Sequence, residues 1–348
     1  MKDSKRTITI DGSYGEGGGQ ILRTACALSA VAGIPCHITN IRKSRRNPGL
    51  KLQHLVGIRS LGDLCNGKIV GDSLQSEEIY FYPGEVRPTT LNLRIETAGS
   101  ITLVLQTLLL PSFFAKGPVR INIQGGGTDT AFAPTIDYHR FVFLELLAKL
   151  GLRANVVIIK RGFYPKGDAM VKIEVIPGKP KSWVCSERGD LDKISIISGA
   201  SESLKGGRVS ERQAKAAEDL IVSKLKTKTE RRIEYYSTLS PGSQINIIGK
   251  YKNTFIGIDG IGERGKRAEN VGQEAALRFV REHDSGACID QLAGDQILPY
   301  LSLAEGTSTV TLSHLSEHAK TNLWVIEKFL ERSFKISKDK SKAITSIN

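Results

Sequence analysis

The chain has 348 residues, of which 40% are hydrophobic and 35 are glycine, and its formal net charge is +13. This length predicts one large domain or two smaller ones, and the composition is typical of a soluble globular protein. No apolar run reaches the roughly 18 residues that a membrane span requires, which excludes a membrane-spanning class.

Charge and cysteine usage limit the compartment and the partners further. No two of the five cysteines have CxxC spacing, so neither a disulfide framework nor a zinc site is predicted. The opening residues MKDSKRTITIDG hold no apolar signal-peptide core, and we expect a cytoplasmic protein. The positive charge favours polyanionic partners, nucleic acid first and nucleotides second. The alternative is a solvated charged tail that only adds solubility.

The N-terminal part of the chain predicts two strand–loop–helix units. Alternating apolar residues indicate the strands, and apolar residues three or four apart indicate the helices. In chain order they are the strand RTITIDG, the glycine loop GSYGEGGG, the helix QILRTACALSAVAG, the strand PCHITNI, the basic loop RKSRRNPG and the helix LKLQHLVGIRSLGDLC.

A similar helix–glycine–strand–loop–helix pattern recurs twice later in the chain, which indicates a weak threefold repeat. Each copy has a Gln on its first helix and a Gly before its strand; these are Gln20, Gln106 and Gln296, and Gly33, Gly117 and Gly306. The loops after these strands then fall in register, with Arg45 opposite His318. Packed around a pseudo-threefold axis, the three loops would face one cleft, where function tends to lie.

The segment between the second and third repeats has a different pattern. It predicts a polar helix, SERQAKAAEDLIVSKLK, followed by two strands, which together suggest a small α+β insertion. The predicted organisation is two repeats of a catalytic domain, a small inserted domain, the third repeat and a basic tail, over residues 1–183, 184–275, 276–338 and 339–348.

The glycine loop is the first candidate site. Backbone N–H groups at a strand–glycine loop–helix junction favour phosphate, although neither a P-loop nor a GxGxxG fingerprint is present. Glu16 inside the loop would repel phosphate unless a divalent ion lay between them. Arg23, one turn into the helix, could reach an anion. The alternative is a tight turn with an exposed Glu.

The basic loop and two histidines are the other candidates. The loop carries Arg42 and Arg45 as phosphate ligands, or is simply a solvated basic loop. His314 and His318 lie four residues apart without an HExxH motif, and a lone His at a helix entrance is usually structural. A nucleophilic imidazole needs a neutral, oriented ring, for which Asp290 and Asp295 are candidate partners. The residues alone indicate phosphate chemistry in a basic cleft.

Seven motifs, spread from about residue 6 to residue 335, resemble the RNA 3′-terminal phosphate cyclase family. They are DGSYGEGGGQILRTACALSAVAG, NPGLKLQHL, GSITLVLQTLLLP, GGTDTAFAPTIDY, RGFYPKG, GERGKRAENVG and EHAKTN. The resemblance implies an α/β fold of α+β repeats, with three βαβαββ-type subdomains in a pseudo-threefold arrangement and a smaller inserted α+β domain.

The resemblance also implies an ATP-dependent enzyme of the ligase class that uses a divalent metal, Mg²⁺ or Mn²⁺. In this family a histidine attacks the α-phosphate of ATP and passes AMP to an RNA 3′-phosphate. The adjacent 2′-OH then closes a 2′,3′-cyclic phosphodiester and releases AMP. The implied partners are RNA 3′-phosphate ends, with no membrane, and a homo-oligomer remains one alternative.

The family's functional positions fall on residues of three kinds. The implied catalytic residues are His318, Glu16 and Arg23, with Glu16 also the metal ligand. The implied nucleotide-binding residues are Gln106, Pro134 and the run Leu292, Ala293, Gly294, Asp295 and Gln296. The residues implied on the RNA-phosphate side are Arg42, Arg45, Gln53 and His54. His314 has no role by this match. Leu292 stands where the family often has an aromatic residue that could stack on adenine.

Two other functions remain open at this stage. A non-catalytic relative that acts in ribosomal RNA processing would share the fold but lack the nucleophilic His. An enolpyruvyl transferase would share the repeat architecture, but the EHAKTN motif would then be unexplained.

Overall fold

The structure is a computed structural model in which residues 7–337 and 342–347 are described. Within these ranges the chain is an α/β protein with four four-stranded mixed sheets, one of which belongs to the segment inserted between the second and third repeats. None of the described helices is both long and apolar enough to cross a membrane.

The first sheet contains the elements predicted for the N-terminal part, and the predicted strands and helices are confirmed. Its elements are β1 (Ile8–Asp11), α1 (Gly19–Ala32), β2 (Cys36–Thr39), α2 (Leu52–Cys65), β3 (Lys68–Val70) and β4 (Ile79–Tyr82). The strand order is β1-β2-β4-β3, with β1 and β2 parallel and the other pairs antiparallel. Gly33, with φ 64°, ends α1 in the left-handed conformation that glycine adopts without strain.

The second sheet repeats this order. Its elements are β5 (Thr89–Ser100), α3 (Ile101–Phe113), β6 (Val119–Gly127), α4 (Ile136–Tyr138), a π-helical turn (His139–Phe143), α5 (Leu144–Lys149), β7 (Arg153–Lys160) and β8 (Met170–Ile176). The order is β5-β6-β8-β7, with the first pair parallel and the others antiparallel. Ser100 caps α3 by accepting a hydrogen bond from Leu103 N, which fixes where the apolar helix begins.

The inserted segment follows β9 (Val184–Cys185). It contains β10 (Leu191–Ser201), a 3₁₀ helix (Glu202–Gly207), α6 (Val209–Leu225), β11 (Thr229–Tyr236), β12 (Ser243–Tyr251), β13 (Phe255–Ile261) and α7 (Ala268–Asp284). Its sheet has the different order β11-β10-β12-β13 and a core of its own, which Phe279 of α7 joins. The helix α7 thus extends beyond residue 275, where the sequence placed the end of the insert.

The third sheet combines β9 with the C-terminal elements. These are α8 (Gln291–Ser302), β14 (Ser308–Leu312), α9 (Glu317–Phe329), β15 (Ser333–Ile336) and β16 (Lys342–Ile347). The order from β9 is β9-β14-β16-β15, again with the first pair parallel and the others antiparallel. Part of the predicted 339–348 tail is therefore the strand β16, and the rest of that tail lies outside the described residues. A single apolar core joins the first, second and third sheets.

Candidate active site

The glycine loop between β1 and α1 lies against α9. The Tyr14 ring stacks on the Trp324 ring, with centroids 4.1 Å apart and planes within 10°. Gly15 has φ 57°, and a Cβ there would lie 2.7 Å from Thr321 Oγ1. A side chain at Gly15 would therefore be strained in the backbone and crowded against α9. This close approach brings the next residue, Glu16, to the start of α9.

Glu16 lies at the centre of a triplet of ionisable side chains. Its Oε2 atom lies 3.1 Å from His318 Nδ1 and 3.3 Å from Arg45 Nη2. About two fifths of each of the three side chains is exposed, 42% for Glu16, 39% for His318 and 44% for Arg45. The triplet is therefore accessible to a ligand, and it joins loops from the first and third repeats, as their register predicted.

His318 is the second residue of α9, and the helix start is fixed by Ser316. Ser316 Oγ accepts a hydrogen bond from Ala319 N at 2.9 Å. Burial lowers the pKa of His318 below its ordinary value of 6.5; Arg23 and Arg45 also lower it, whereas Glu16 raises it. The positive end of the α9 dipole further disfavours a charged ring there. His318 is therefore largely neutral at pH 7, as a nucleophilic imidazole requires.

His314 has a different environment. It is exposed and lies before the helix cap, whereas His318 is within the first turn of α9. The two histidines therefore do not share a helix face, and no metal pair forms between them.

A buried hydrogen-bond cluster joins α1, α8 and α9 beneath His318. Gln20 Nε2 donates to His318 O at 3.0 Å and to Asp295 O at 3.3 Å. Asn322 Nδ2 donates to Asp295 O at 2.6 Å, and Ser316 Oγ donates to the Asp295 carboxylate. Burial raises the pKa of Asp295 to about 7, and the nearby Glu16 charge adds to that rise. The cluster fixes the backbone of His318 rather than its ring.

The three glutamines of the repeats, Gln20, Gln106 and Gln296, converge on this region. Arg23 Nε donates to Gln106 Oε1 at 3.1 Å, and Gln106 Nε2 donates to Gln296 Oε1 at 2.8 Å. These side chains and Gln20 line one small cavity between α1, α3 and α8. Burial lowers the pKa of Arg23 to about 10, so its guanidinium still carries a charge at neutral pH. Arg23 therefore supplies positive charge near His318.

The remaining basic-side residues make local hydrogen bonds. Arg42 Nη1 donates to Asn47 O and Gly49 O, both at 2.8 Å, and so holds its own loop. Gln53 Oε1 accepts from Ser100 N at 3.0 Å. His54 Nδ1 accepts from Lys51 N at 3.1 Å, and burial lowers the pKa of His54 to about 3. The RNA-phosphate role of these residues stays a prediction.

The predicted nucleotide run lies at the start of α8. Asp290 caps that helix: its carboxylate accepts from Ala293 N at 2.9 Å and from Tyr138 Oη at 2.6 Å. The contact between Tyr138 and Asp290 joins α4, which begins two residues after Pro134, to the residue that lies two before Leu292. Leu292 is half-buried, whereas Ala293 and Gly294 are buried. The adenine contacts of Pro134 and of the run 292–296 stay predictions.

The carboxylate that contacts His318 differs from the two suggested by the sequence. The sequence suggested Asp290 and Asp295, but Asp290 is engaged in capping α8 and Asp295 accepts from Ser316. Glu16 contacts the ring instead. Asn322, whose Oδ1 also accepts a hydrogen bond from Thr24 Oγ1 at 2.7 Å, was not identified from the sequence, although it lies inside the EHAKTN motif.

Glu16 is also the predicted metal ligand. Among the described residues, no group of three or more His, Cys, Asp and Glu side chains is placed to hold a metal ion. A protein-only cage is therefore not found in that part of the chain. Mg²⁺ usually takes one or two carboxylates together with substrate phosphates and water, and one accessible Glu beside a phosphate-type glycine loop fits that mode.

Comparison with known proteins bears on this geometry. The family model for RNA 3′-terminal phosphate cyclase matches residues 14–336, which include the Glu16, Arg45 and His318 triplet. The chain belongs to the RNA 3′-terminal phosphate cyclase family. It is accordingly an enzyme.

Relatives of the same name match along almost the whole chain. The RNA 3′-terminal phosphate cyclases of Pyrococcus abyssi and Pyrococcus furiosus are 43% and 41% identical to it, over 94% of this chain and 94% and 95% of their own. That of Archaeoglobus fulgidus is 43% identical over 96% of this chain and 98% of its own. Among solved structures, the enolpyruvyl transferase NikO from Streptomyces tendae covers 49% of this chain and 33% of its own, with 19% identity and a TM-score of 0.28, which bears on neither fold nor function.

Proposed function

We propose that this enzyme converts the 3′-terminal phosphate of RNA to a 2′,3′-cyclic phosphodiester at the expense of ATP, through a covalent histidine–AMP on His318. The observation that carries the proposal is the contact of His318 Nδ1 with Glu16 Oε2 at 3.1 Å. A ring that donates its Nδ1 proton to a carboxylate keeps its lone pair on Nε2, which is then the nucleophilic nitrogen.

The proposed reaction has three balanced steps. His318 Nε2 attacks the α-phosphorus of ATP, and the bond to the β,γ-phosphate breaks to release pyrophosphate. An oxygen of the RNA 3′-phosphate then attacks the same phosphorus, which frees His318 and leaves AMP joined to the RNA end. Finally the adjacent 2′-OH attacks the 3′-phosphorus, the 2′,3′-cyclic ester forms, and AMP leaves.

Glu16 serves this scheme in two ways. Its Oε2 atom orients the imidazole, and its carboxylate would supply one ligand to a divalent ion, Mg²⁺ or Mn²⁺. When bound, such an ion would neutralise negative charge on the triphosphate. The remaining ligands would come from phosphate oxygens and water, as is usual for Mg²⁺.

Arg45 and Arg23 supply the anion-binding charge. Arg45 is on the exposed loop beside Glu16, where its guanidinium can bind a terminal phosphate with two parallel hydrogen bonds. Arg23 is more enclosed, and its charge near the α1 N-terminus favours a triphosphate. We assign Arg45 to the RNA phosphate and Arg23 to ATP, whose base would lie between Pro134 and the run 292–296.

The repeat architecture supports one shared cleft. Three sheets have the same βαβαββ chain order and the same strand order, and the first helices of all three carry the glutamines that converge near Arg23. We propose that these three subdomains surround a pseudo-threefold axis, with the inserted segment as a separate small domain.

The decisive experiment is incubation of the protein with ATP labelled at the α-phosphate. The protein should not be precipitated with acid, because a histidine–phosphate bond is acid-labile. The adduct should be resolved under alkaline or neutral denaturing conditions. We expect covalent label that is chased by RNA with a 3′-phosphate but not by the same RNA with a 3′-hydroxyl. A non-catalytic relative or an enolpyruvyl transferase would take up no label, and that result would overturn the proposal.

A further inference from the structure

Two aromatic side chains project from adjoining loops of the second repeat. Phe132 is fully exposed and has φ 63°, a conformation that a bulky residue rarely adopts. Tyr164, in the loop between β7 and β8, is 76% exposed. The two loops are joined by a β-bridge between Asp129 and Phe163. The rings therefore occupy one region of the surface, with the exposed Lys166 two residues beyond Tyr164.

The backbone beneath these rings is firmly held. Arg161 is buried and forms ion pairs with Asp129, at 3.2 Å, and with Asp137, at 2.5 Å. Phe163 packs against Gly242 so closely that a Cβ there would lie 2.2 Å from the Phe163 ring. The loops are therefore fixed by buried contacts, while Phe132 and Tyr164 themselves face solvent. Two large exposed rings on a fixed loop pair can therefore stack on a ligand without a rearrangement of the backbone.

The loops that carry these rings are connected to the candidate active site through packed residues. A Cβ on Gly167 would lie 3.1 Å from Ala98 Cα, so the Tyr164 loop contacts the end of β5. Ser100, two residues on from Ala98, donates its N–H to Gln53 Oε1. The residue after Gln53, His54, contacts Gly19 at the start of α1, next to the glycine loop, where a Cβ would lie 2.3 Å from His54 Nε2. A continuous line of contacts therefore leads from the glycine loop to the two rings.

Exposed rings beside a lysine match the chemistry of single-stranded nucleic acid. Bases stack on aromatic side chains with little regard to sequence, and cationic side chains follow the backbone. We infer that Phe132 and Tyr164 stack on bases that precede the last two nucleotides of the RNA, with Lys166 near their phosphates. This inference rests on the proposed function, because it takes the RNA end to lie at Arg45 and His318.

The test compares two substrates and two sets of variants. The substrates are a 3′-phosphorylated single-stranded oligoribonucleotide, which reaches the rings, and a 3′-phosphorylated dinucleotide, which is too short to cover them. The test variant is Phe132→Ala/Tyr164→Ala. The control variant is Lys68→Ala/Tyr82→Ala, which removes an exposed lysine and tyrosine paired across β3 and β4, at the end of the first sheet opposite the glycine loop.

We expect the test variant to raise the KM for the oligoribonucleotide by roughly ten-fold or more, as loss of base stacking should. The KM for the dinucleotide and the yield of histidine–AMP should stay at the level of the unsubstituted protein. The variant Phe132→Tyr/Tyr164→Phe, which keeps both rings, should restore the oligoribonucleotide KM. The control variant should match the unsubstituted protein on both substrates.

Three results would overturn the inference. The first is an unchanged KM of the test variant for the oligoribonucleotide, which would favour a protein partner for the rings. The second is an equal rise in the KM for the dinucleotide. The third is a loss of histidine–AMP without a change in RNA affinity. Equilibrium binding of the fluorescently labelled oligoribonucleotide is measured in parallel. If the unsubstituted protein formed no cyclic phosphate, the proposed function would fail, and this binding measurement alone would still support or overturn the stacking surface.

Discussion

His318 Nδ1 lies 3.1 Å from Glu16 Oε2, although the two residues come from opposite ends of the chain. The contact depends on the glycine loop, because the stacking of Tyr14 on Trp324 holds that loop against α9. It determines which imidazole nitrogen keeps its lone pair, and it places one carboxylate between the histidine and Arg45.

The first prediction separates the two histidines of the C-terminal region. His318→Ala should abolish the covalent AMP label, because no other imidazole is placed at Glu16 among the described residues. His314→Ala should retain most of the label, since His314 is exposed and lies outside α9. The label is measured after incubation with α-labelled ATP. Equal labelling of His318→Ala and the unsubstituted protein would contradict the assignment.

The second prediction concerns the pH dependence of adenylation. The neutral imidazole reacts, so the rate should rise with pH through the pKa of His318 and level off above it. That pKa lies below 6.5 mainly because of burial, and Glu16 and Arg45 act on it in opposite directions. Glu16→Gln should therefore move the acid limb to lower pH, whereas Arg45→Ala should move it to higher pH. Single-turnover adenylation rates between pH 4.5 and about 8 would measure both shifts, because this range extends to both sides of the ordinary histidine pKa of about 6.5.

Glu16→Gln should also lower the plateau rate and weaken the dependence on Mg²⁺ or Mn²⁺, because it removes the carboxylate that orients the ring and would bind the ion. If both variants moved the acid limb in the same direction, the limb would not report on His318. An unchanged metal titration would rule out Glu16 as the metal ligand while leaving its contact with His318 intact.

The third prediction assigns the basic loop. Arg45→Ala should leave the yield of histidine–AMP largely intact, since that step uses ATP alone, and should slow transfer of AMP to the RNA 3′-phosphate. Arg46→Ala is the matched control, because Arg46 is the adjacent exposed arginine of the same loop. The chase of labelled enzyme with 3′-phosphorylated RNA measures the transfer. Loss of labelling with normal RNA binding would place Arg45 on ATP instead.

Much of this site could be predicted from the sequence, because local patterns carry it. The glycine loop, the helix that follows it and the repeat pattern that sets Arg45 opposite His318 depend on residues close together in the chain. The family resemblance, now supported by the match over residues 14–336, added the roles that spacing alone could not supply. Local sequence patterns thus predicted the helices, the strands and the candidate residues.

The partners of those residues could not be predicted, because they depend on tertiary distances. Asp290 and Asp295 are nearer than Glu16 to His318 in sequence. In the structure Asp290 caps α8, and the carboxylate that contacts the His318 ring belongs to Glu16 of the first repeat. Arg42 and Arg45 looked alike in the basic loop, but Arg42 bends back onto two carbonyl groups of that loop. Residues 342–347 looked like a solvated tail because their strand partners, in β14 and β15, are supplied by the fold.

The fourth prediction tests the packing of the start of α1 against the start of α2. A Cβ on Gly19 would lie 2.3 Å from His54 Nε2, while Gly19 itself has an ordinary helical backbone. Gly19→Ala should therefore destabilise the protein by about 1–3 kcal/mol through overpacking alone. In Gly19→Ala/His54→Ala the clash is gone, so the double variant should be more stable than the sum of the two single losses predicts. Urea unfolding measures all four proteins, and strict additivity would show that the clash is relieved some other way.

The last prediction concerns His139, which is fully buried in the π-helical turn with its ring 4.9 Å from that of Phe143. Within the described residues, neither of its ring nitrogens has a hydrogen-bond partner. Burial lowers the pKa of His139 to about 4, whereas in the unfolded chain it returns to about 6.5. Between these values the unfolded state binds the extra proton, so stability from this residue is present above about pH 6.5 and is lost as the pH falls towards 4.

His139→Phe removes that proton uptake and keeps an aromatic ring beside Phe143. Between pH 6.5 and pH 5, the free energy of unfolding should therefore fall by about 1.5 kcal/mol more in the unsubstituted protein than in the variant, because the unfolded-state histidine is only half protonated at pH 6.5 and the full slope of about 1.4 kcal/mol per pH unit is reached only below it. Other buried groups contribute equally to both proteins and cancel in the difference. Parallel urea unfolding curves at the two pH values measure the difference, and an identical loss of stability in His139→Phe and the unsubstituted protein would show that His139 titrates normally in the folded state.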